Sequence, residues 1–279
     1  RRPVSIVSKF DNLEKLYQNL YKQGRRVEKS QVLELKEKNV MPFSFELSER
    51  HYSTYKKMVT ELLLEFEDGS ILKSTASAAR RNNAMQAIFR PSLIGVEEES
   101  AAFEALDHLI ERSNKKSKVL VFCHYRATVE AICKHFEKYN PAMIYGGSNV
   151  EKQKDKFLKD SSCRLAVANY RSGGVGLNLQ GVCSEVIAAE PTTIPGFFDQ
   201  SVDRVYRSGQ KEIVNVYVLL PKGTVFVKAV YDMLKKRKSN ASVVSKGFIY
   251  KELMGDPAAG QYEQEEEVGQ DLAPGWESL

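Results

Sequence analysis

No Gly-Lys pair occurs anywhere in the 279 residues, and no Asp-Glu pair either. The first absence excludes a phosphate-gripping loop that ends in Gly-Lys-Ser or Gly-Lys-Thr, and the second excludes the acidic box that holds magnesium beside such a loop. The four cysteines, Cys123, Cys133, Cys163 and Cys183, form no Cys-x-x-Cys pair and are dispersed through apolar segments. That spacing predicts buried thiols in a reducing compartment rather than metal or disulfide use. His108, His124 and His135 lie without metal-ligand spacing, so no metal site is expected. Ser172 follows no nucleophile-elbow pattern. A run of about 18 uncharged apolar residues is missing, which excludes a membrane-spanning helix of the ordinary kind. There is no signal peptide, and the opening Arg1-Arg2-Pro3 lacks a methionine, which predicts an excerpt from a longer chain.

What is present reads as globular, with 42% hydrophobic and 28% charged residues. The formal net charge of +5 is unevenly spread. Six acidic residues and no Lys or Arg lie between Glu263 and Leu279, so residues 1–262 hold 41 basic against 30 acidic residues, a formal +11. A basic body of this kind fits a polyanionic partner.

Three textures follow one another. From about Phe10 to Ile94 the pattern is helical: Ser48 is an N-cap candidate, and Tyr52, Tyr55, Val59, Leu62 and Phe66 recur at three- and four-residue steps until Asp68-Gly69-Ser70. A second helix carries Ala84, Ile88 and Phe89 toward Pro91. From about Ala101 to Gly223, short apolar runs at 119–123, 142–145, 165–169, 186–189 and 213–220 mostly alternate with helical stretches such as 128–139 and 150–158. This alternation predicts an α/β fold, a parallel sheet covered on both faces in a doubly wound, RecA-like lobe. A last helix is expected from about Thr224 to Lys238, with Val227, Val230, Tyr231 and Leu234 on one face and Lys235 to Lys238 at its dipole-favoured end. Beyond Gly255 the chain turns polar and acidic, and a flexible tail is expected there.

Three segments carry candidate chemistry. In Gln200-Ser-Val-Asp203-Arg204-Val-Tyr-Arg207-Ser-Gly209-Gln210, the two arginines are three apart and would share one face of a helix closed by Gly209. Adjacent guanidiniums repel unless an anion faces them. Either a carboxylate network, to which Asp203 could contribute, or a transferring phosphoryl group meets that need. In Arg171-Ser172-Gly173-Gly174-Val-Gly176-Leu-Asn178-Leu, three glycines in four residues follow a strand at the sheet edge where α/β folds bind ligands. A tight structural turn would look the same. In Tyr145-Gly146-Gly147-Ser148-Asn149, backbone amides at a helix start could hold a phosphate, or the segment is an ordinary capped strand-to-helix turn.

In order and spacing, the succession Lys118-Val-Leu-Val-Phe-Cys-His-Tyr, Tyr145-Gly-Gly-Ser, Arg171-Ser-Gly-Gly-Val-Gly-Leu-Asn-Leu and Gln200-Ser-Val-Asp-Arg-Val-Tyr-Arg-Ser-Gly-Gln resembles motifs IV, IVa, V and VI of superfamily-2 ATPases, in the form of the SNF2 family. The last motif ends Arg-x-Gly-Gln, where the DEAD-box type has Gly-Arg-x-Gly-Arg. The flanks agree: Arg25-Arg26 followed by Leu33-Glu-Leu-Lys, the segment from Phe45 to Tyr55, and the helix ending near Arg90-Pro91 resemble the SNF2 linker and helical protrusion, and the segment from Lys222-Gly-Thr-Val resembles the closing brace helix. The domain division implied is 1–97 for linker and protrusion, 98–222 for the RecA-like lobe, 223–254 for brace helix and extension, and 255–279 for the acidic tail.

The resemblance implies the C-terminal motor lobe of an ATP-dependent double-stranded DNA translocase. Arg204 and Arg207 would be its arginine fingers. Gly174, Gly176, Gln200 and Asp203 would line the nucleotide cleft, and Gly147, Ser148, Arg171 and Ser172 would track the phosphate backbone of double-stranded DNA without reading sequence. ATP and Mg2+ would be bound mainly by a separate lobe 1, so this chain alone should be inactive. A strand-separating helicase lobe and a non-catalytic DNA- or protein-binding module are the alternatives. The family usually has Ser-Thr-Arg-Ala-Gly-Gly where this chain has Asn169-Tyr170-Arg171-Ser172-Gly-Gly, a tryptophan where it has Thr193, and His-Arg-Ile-Gly-Gln where it has Tyr206-Arg-Ser-Gly-Gln. Glu190-Pro191 with Pro195-Gly196 looks like the compact prokaryotic, viral and fork-remodelling branch. Localisation would be cytoplasmic or nucleoid-associated in a prokaryote or virus and nuclear in a eukaryote.

Overall fold

A computed structural model describes residues 15, 18–19, 21–22, 24, 33–67, 83, 85–173, 177–190, 192, 194–227 and 230–231. The few described residues at 15–24 belong to a separate unit and are helical at Lys15, Gln18, Asn19, Tyr21 and Lys22. Those from Glu34 onward to Tyr231 fall within one compact unit.

That unit is built on six strands: β1 (Lys38–Phe45), β2 (Lys118–Cys123), β3 (Ala142–Ile144), β4 (Leu165–Asn169), β5 (Cys183–Ala188) and β6 (Val214–Pro221). They form one all-parallel sheet in the order β1-β6-β5-β2-β4-β3. Strands β2, β4 and β5 are buried along nearly their whole length, as continuous apolar runs covered on both faces must be. One face carries Val119, Val121, Val167 and Ile187 against α2 (Ala101–Arg112) and α3 (Arg126–His135), which follows β2. The other carries Leu120, Phe122, Ala168, Val186, Val216 and Val218 against Phe157 of α4 (Val150–Lys159) and Phe198 and Val202 of α6 (Pro195–Val202). Between β4 and β5 a single turn, α5 (Tyr170–Gly173), is helical. The sheet is the RecA-like α/β lobe, and its strand order reverses between β2 and β5.

The helical texture expected from Phe10 to Ile94 is corrected at β1, which pairs in parallel with β6 from Lys38 beside Val214 to Phe45 beside Pro221. Met41, Phe43 and Phe45 face inward, while Val40, Pro42 and Ser44 are exposed, the two-residue period of a half-buried strand. Pro42 breaks no ladder there because β1 is the sheet edge. Asn39 Nδ2 donates to Asn215 Oδ1 (3.3 Å), and Asn215 Nδ2 to Glu185 Oε1 (3.1 Å), a polar rung fixing the register of β1, β6 and β5.

Ser48 caps α1 (Glu49–Glu67), accepting the His51 N–H at 3.1 Å, and Tyr55 is fully buried. The stop at Asp68-Gly69-Ser70 lies outside the described residues, as does Ala84 of the second helix; Ile88 and Phe89 are buried before the 3-10 turn Pro91–Ile94. Of the expected last helix, residues 225–227 and 230–231 are described and helical; Leu234, Lys235 to Lys238 and the acidic tail lie outside. All four cysteines are free and buried. Among the described residues, no helix is long and apolar enough to cross a membrane, and no cluster of His, Cys, Asp and Glu could hold a metal.

Candidate functional site

The candidate residues that are described lie in segments leaving the carboxyl ends of β3 and β4, on α6, or in the turn that follows α6. After β3 the chain makes a tight turn in which Ser148 N–H donates to Tyr145 O (3.0 Å), while Ser148 Oγ accepts from Tyr145 N–H (3.1 Å) and donates to Tyr145 O (2.8 Å). Gly147, at φ +100°, takes a conformation a side chain would strain. The helix cap is Asn149, whose Oδ1 accepts from Lys152 N–H at 3.0 Å. The segment is therefore a capped strand-to-helix turn in its own right, and Ser148 spends its hydroxyl inside it.

Beyond β4, Arg171 is exposed, its N–H donating to Asn169 Oδ1 (3.0 Å), and Ser172 is half-buried. Ser172 Oγ lies 3.6 Å from where a Cβ on Gly146 would stand, so the segments 145–149 and 171–172 adjoin. Arg126, at the start of α3, lays its guanidinium 4.5 Å over the Tyr145 ring and pairs with Glu130 at 2.8 Å, which brings a further cation to this edge. Tyr170 enters the core: its ring stacks on Phe122 at 5.3 Å and its hydroxyl donates to Glu190 O at 2.9 Å. Burial holds the Tyr170 phenol well above its ordinary pKa, so it stays a donor.

The arginine segment departs from expectation. Helix α6 ends at Val202, with Asp203 as its C-cap, and residues 203–209 form successive turns, so Arg204 and Arg207 do not share a helix face. Ladder bonds shorten there, with Arg204 N–H donating to Ser201 O (3.2 Å) and Arg207 N–H to Val205 O (3.2 Å). The cause lies in Gln210, which is buried and spends its whole amide on backbone. Its Nε2 donates to Cys183 O (2.9 Å) and Val205 O (3.2 Å), and its Oε1 accepts from Lys211 N–H (2.9 Å) and Glu212 N–H (3.0 Å). Gly209 reverses the chain at φ +92° just before it.

Both arginines are half-buried. Arg204 Nε is buried and meets no partner, and Arg207 Nη1 donates to the neutral Asn178 Oδ1. No carboxylate among the described residues pairs with either guanidinium. Leu179 N–H donates to Arg204 O at 3.1 Å, so the end of the glycine segment is bonded to the arginine turn. Gly174 and Gly176 lie outside the described residues; Leu177 and Leu179 after them are buried anchors. Gln200 is exposed on α6, and Asp203 is half-buried and already engaged with a neighbour.

One acidic group at this edge gave no sequence signal for its role. Glu190, just past β5, is buried, and Oε2 accepts from His124 N–H (2.7 Å) and Tyr125 N–H (2.9 Å) while Oε1 accepts from Thr128 Oγ1 (2.6 Å). Burial pushes its carboxyl up to about 7 against the pull of those donors. Partial desolvation and the neighbouring Arg171 guanidinium hold His124 below the usual histidine range.

The six-stranded parallel sheet and its flanking helices define a RecA-like α/β lobe. Residues 101–209 match the family described as the helicase conserved C-terminal domain. The chain is 32% identical over 143 residues to the TATA-binding protein-associated factor MOT1 of Saccharomyces cerevisiae, which covers 48% of this chain and 8% of that protein. Over 170 residues it is 27% identical to a RAD54-like DNA repair and recombination protein of Drosophila grimshawi, covering 58% of this chain and 21% of that one. It superposes on the Sulfolobus solfataricus SWI2/SNF2 ATPase core solved in complex with dsDNA with a TM-score of 0.58 at 23% identity, covering 84% of this chain and 52% of that chain. Over residues 101–209 the chain is similar to this helicase C-terminal domain, and its fold is that of the C-terminal lobe of SWI2/SNF2 ATPase cores. It spans about a tenth to a fifth of the length of those two relatives.

Proposed function

We propose that this lobe is the motor-closing half of an ATP-dependent double-stranded DNA translocase. ATP, with Mg2+, is gripped by a second lobe, and Arg204 and Arg207 reach its phosphates when the two lobes close. The observation that carries this reading is that neither guanidinium has a carboxylate partner among the described residues, while Gln210 and Leu179 hold the backbone beneath them in place. A salt-bridged surface pair would look otherwise. Guanidiniums suit phosphoryl oxygens, and their charge offsets the charge that develops on a transferring phosphoryl group. A magnesium ion needs carboxylates, and the second lobe supplies them in this reading; this chain alone hydrolyses no ATP.

Glycines 174 and 176, with Gln200 and Asp203, would line the same cleft. On the other side of the glycine segment, Gly147, Ser148, Arg171 and Ser172 face the DNA backbone. Because Ser148 commits its hydroxyl to Tyr145, its share in phosphate binding falls to the backbone amides of the turn. Contacts of this sort position a duplex without reading its bases, so binding is salt-sensitive and largely sequence-neutral.

ATP hydrolysis by the lobe joined to its ATP-gripping partner, with and without duplex DNA, tests the reading. Arg207→Ala and Arg204→Ala should each lower DNA-stimulated turnover by about 10³. Turnover that ignores both substitutions and the DNA would overturn the motor reading in favour of a binding module, and efficient strand displacement would favour a helicase.

A further inference from the structure

The crevice between the carboxyl ends of β2 and β5, where the strand order reverses, is the place where open α/β sheets seat an anionic ligand on a helix N-terminus. Here the chain fills it with its own carboxylate. Helix α3 has no side-chain cap from its N-cap Tyr125; Glu190 comes from the end of β5 to take the His124 and Tyr125 N–H groups and the Thr128 hydroxyl. The same residue is tied in two further directions. Its N–H and that of Ala189 donate to Phe122 O, at 3.4 and 2.9 Å, and its carbonyl accepts the Tyr170 hydroxyl at 2.9 Å. Asn169 adds a fourth tie, from its amide to His124 O.

These bonds join three loops that do different work in the proposed motor. Tyr170 is followed directly by Arg171 and Ser172, on the DNA side. Glu190 leads through residues 191–194 into α6 and the arginine turn. The loop after β2 leads to Arg126. Tyr170 stands where the family's pattern has a small hydroxyl residue, and its length is what lets it span to the Glu190 carbonyl from beneath the loop.

We propose that Tyr170 and Glu190 form a buried positioning strut that couples the DNA-contacting loop to the arginine turn, so that DNA engagement sets the arginines for hydrolysis. Neither residue touches DNA or nucleotide; both act through the loops they join. The inference rests on the motor reading above.

The test is DNA-stimulated against basal ATP turnover in the intact two-lobe protein, for Tyr170→Phe, Glu190→Gln and the double variant, beside Arg207→Ala. Phenylalanine keeps the ring on Phe122 and removes only the hydroxyl. Glutamine keeps an acceptor for the two N–H groups and can donate to the Thr128 oxygen. Each single variant should hold basal turnover within about twofold while the stimulation by DNA falls about tenfold, in the ordinary range of coupling between sites. The double variant should be no worse than either single one, because one strut is broken once. Full stimulation in both single variants would overturn the inference, as would basal and stimulated turnover falling by the same factor with a lowered melting temperature. Arg207→Ala separates the two levels: if it leaves turnover intact, the motor reading itself has failed, whereas turnover lost in Arg207→Ala with stimulation kept in Tyr170→Phe sinks the strut alone.

Discussion

The turn at Tyr145–Asn149 and the turn at Asp203–Gln210 are both short, polar and closed around glycine, yet they treat their polar side chains in opposite ways. In the first, Ser148 and Asn149 satisfy the local backbone, and what remains for a partner is main chain. In the second, the backbone is satisfied by Gln210 and Leu179 while Arg204 and Arg207 meet no carboxylate among the described residues. A turn that ends in backbone suits a repeating polyanion whose contacts are interchangeable. A turn that ends in two placed guanidiniums suits one charge that appears at one moment.

The sharpest way to break the comparison is from below the arginines. Gln210→Ala removes four hydrogen bonds to backbone, those to the carbonyls of the buried Cys183 and Val205 and those from the Lys211 and Glu212 N–H groups. The expected loss is about 4 kcal/mol in chemical denaturation, at roughly 1 kcal/mol for each bond. A loss under about 1 kcal/mol would mean that the turn is held by something else.

Next in size is the effect of pH through Glu190. Its folded pKa, about 7, is raised above the 4.5 of a free carboxyl by burial. A raised carboxyl contributes stability that is fully present below pH 4.5 and is lost as pH rises through 7, so the swing is up to about 3 kcal/mol. The groups facing it are the Cys123 thiol, the Tyr170 phenol, His124 and Arg90. Thermal unfolding against pH should show wild type losing stability between pH 5 and about 8 relative to Glu190→Gln, which cannot titrate. Parallel curves would place the Glu190 pKa near that of an ordinary glutamate.

Smaller again is the strain in the first turn. Gly147 has open space around a Cβ but sits at φ +100°, so Gly147→Ala should cost about 1–2 kcal/mol through backbone conformation alone. Gly146, with ordinary φ, should tolerate alanine unless Ser172 objects at 3.6 Å. Equal costs at the two positions, measured by denaturant unfolding, would contradict the geometry.

These differences also mark where the sequence could be read. Strands β2, β3, β4 and β6 fall within about a residue of the runs seen in the sequence, because continuous valine and alanine between helices has few other uses, while β5 starts three residues earlier at Cys183. Strand β1 was hidden by Pro42 and by its position amid helical neighbours; only its pairing with β6 makes Lys38–Phe45 extended. Arg204 and Arg207 were visible as a pair, but their departure from helix is dictated by Gln210, whose partner Cys183 is 27 residues away. Glu190 reaches 62 to 66 residues back to the start of α3, a span that no local pattern encodes.

The smallest effect belongs to Arg171, and it bears on the DNA half of the comparison. Its side chain is exposed, and its backbone N–H donates to Asn169 Oδ1. If it contributes one phosphate contact among several, Arg171→Ala in the two-lobe protein should weaken duplex binding severalfold regardless of sequence. It should also make the slope of log affinity against log salt shallower by about 1. Arg126 stands at the same edge, already paired with Glu130 and stacked on Tyr145, so its charge is partly spent and Arg126→Ala should change the slope less. A slope untouched by Arg171→Ala but changed by Arg126→Ala would move the DNA track from the loop after β4 to the start of α3. The DNA track would then lie one strand nearer to β5, from which α6 and the arginine turn follow.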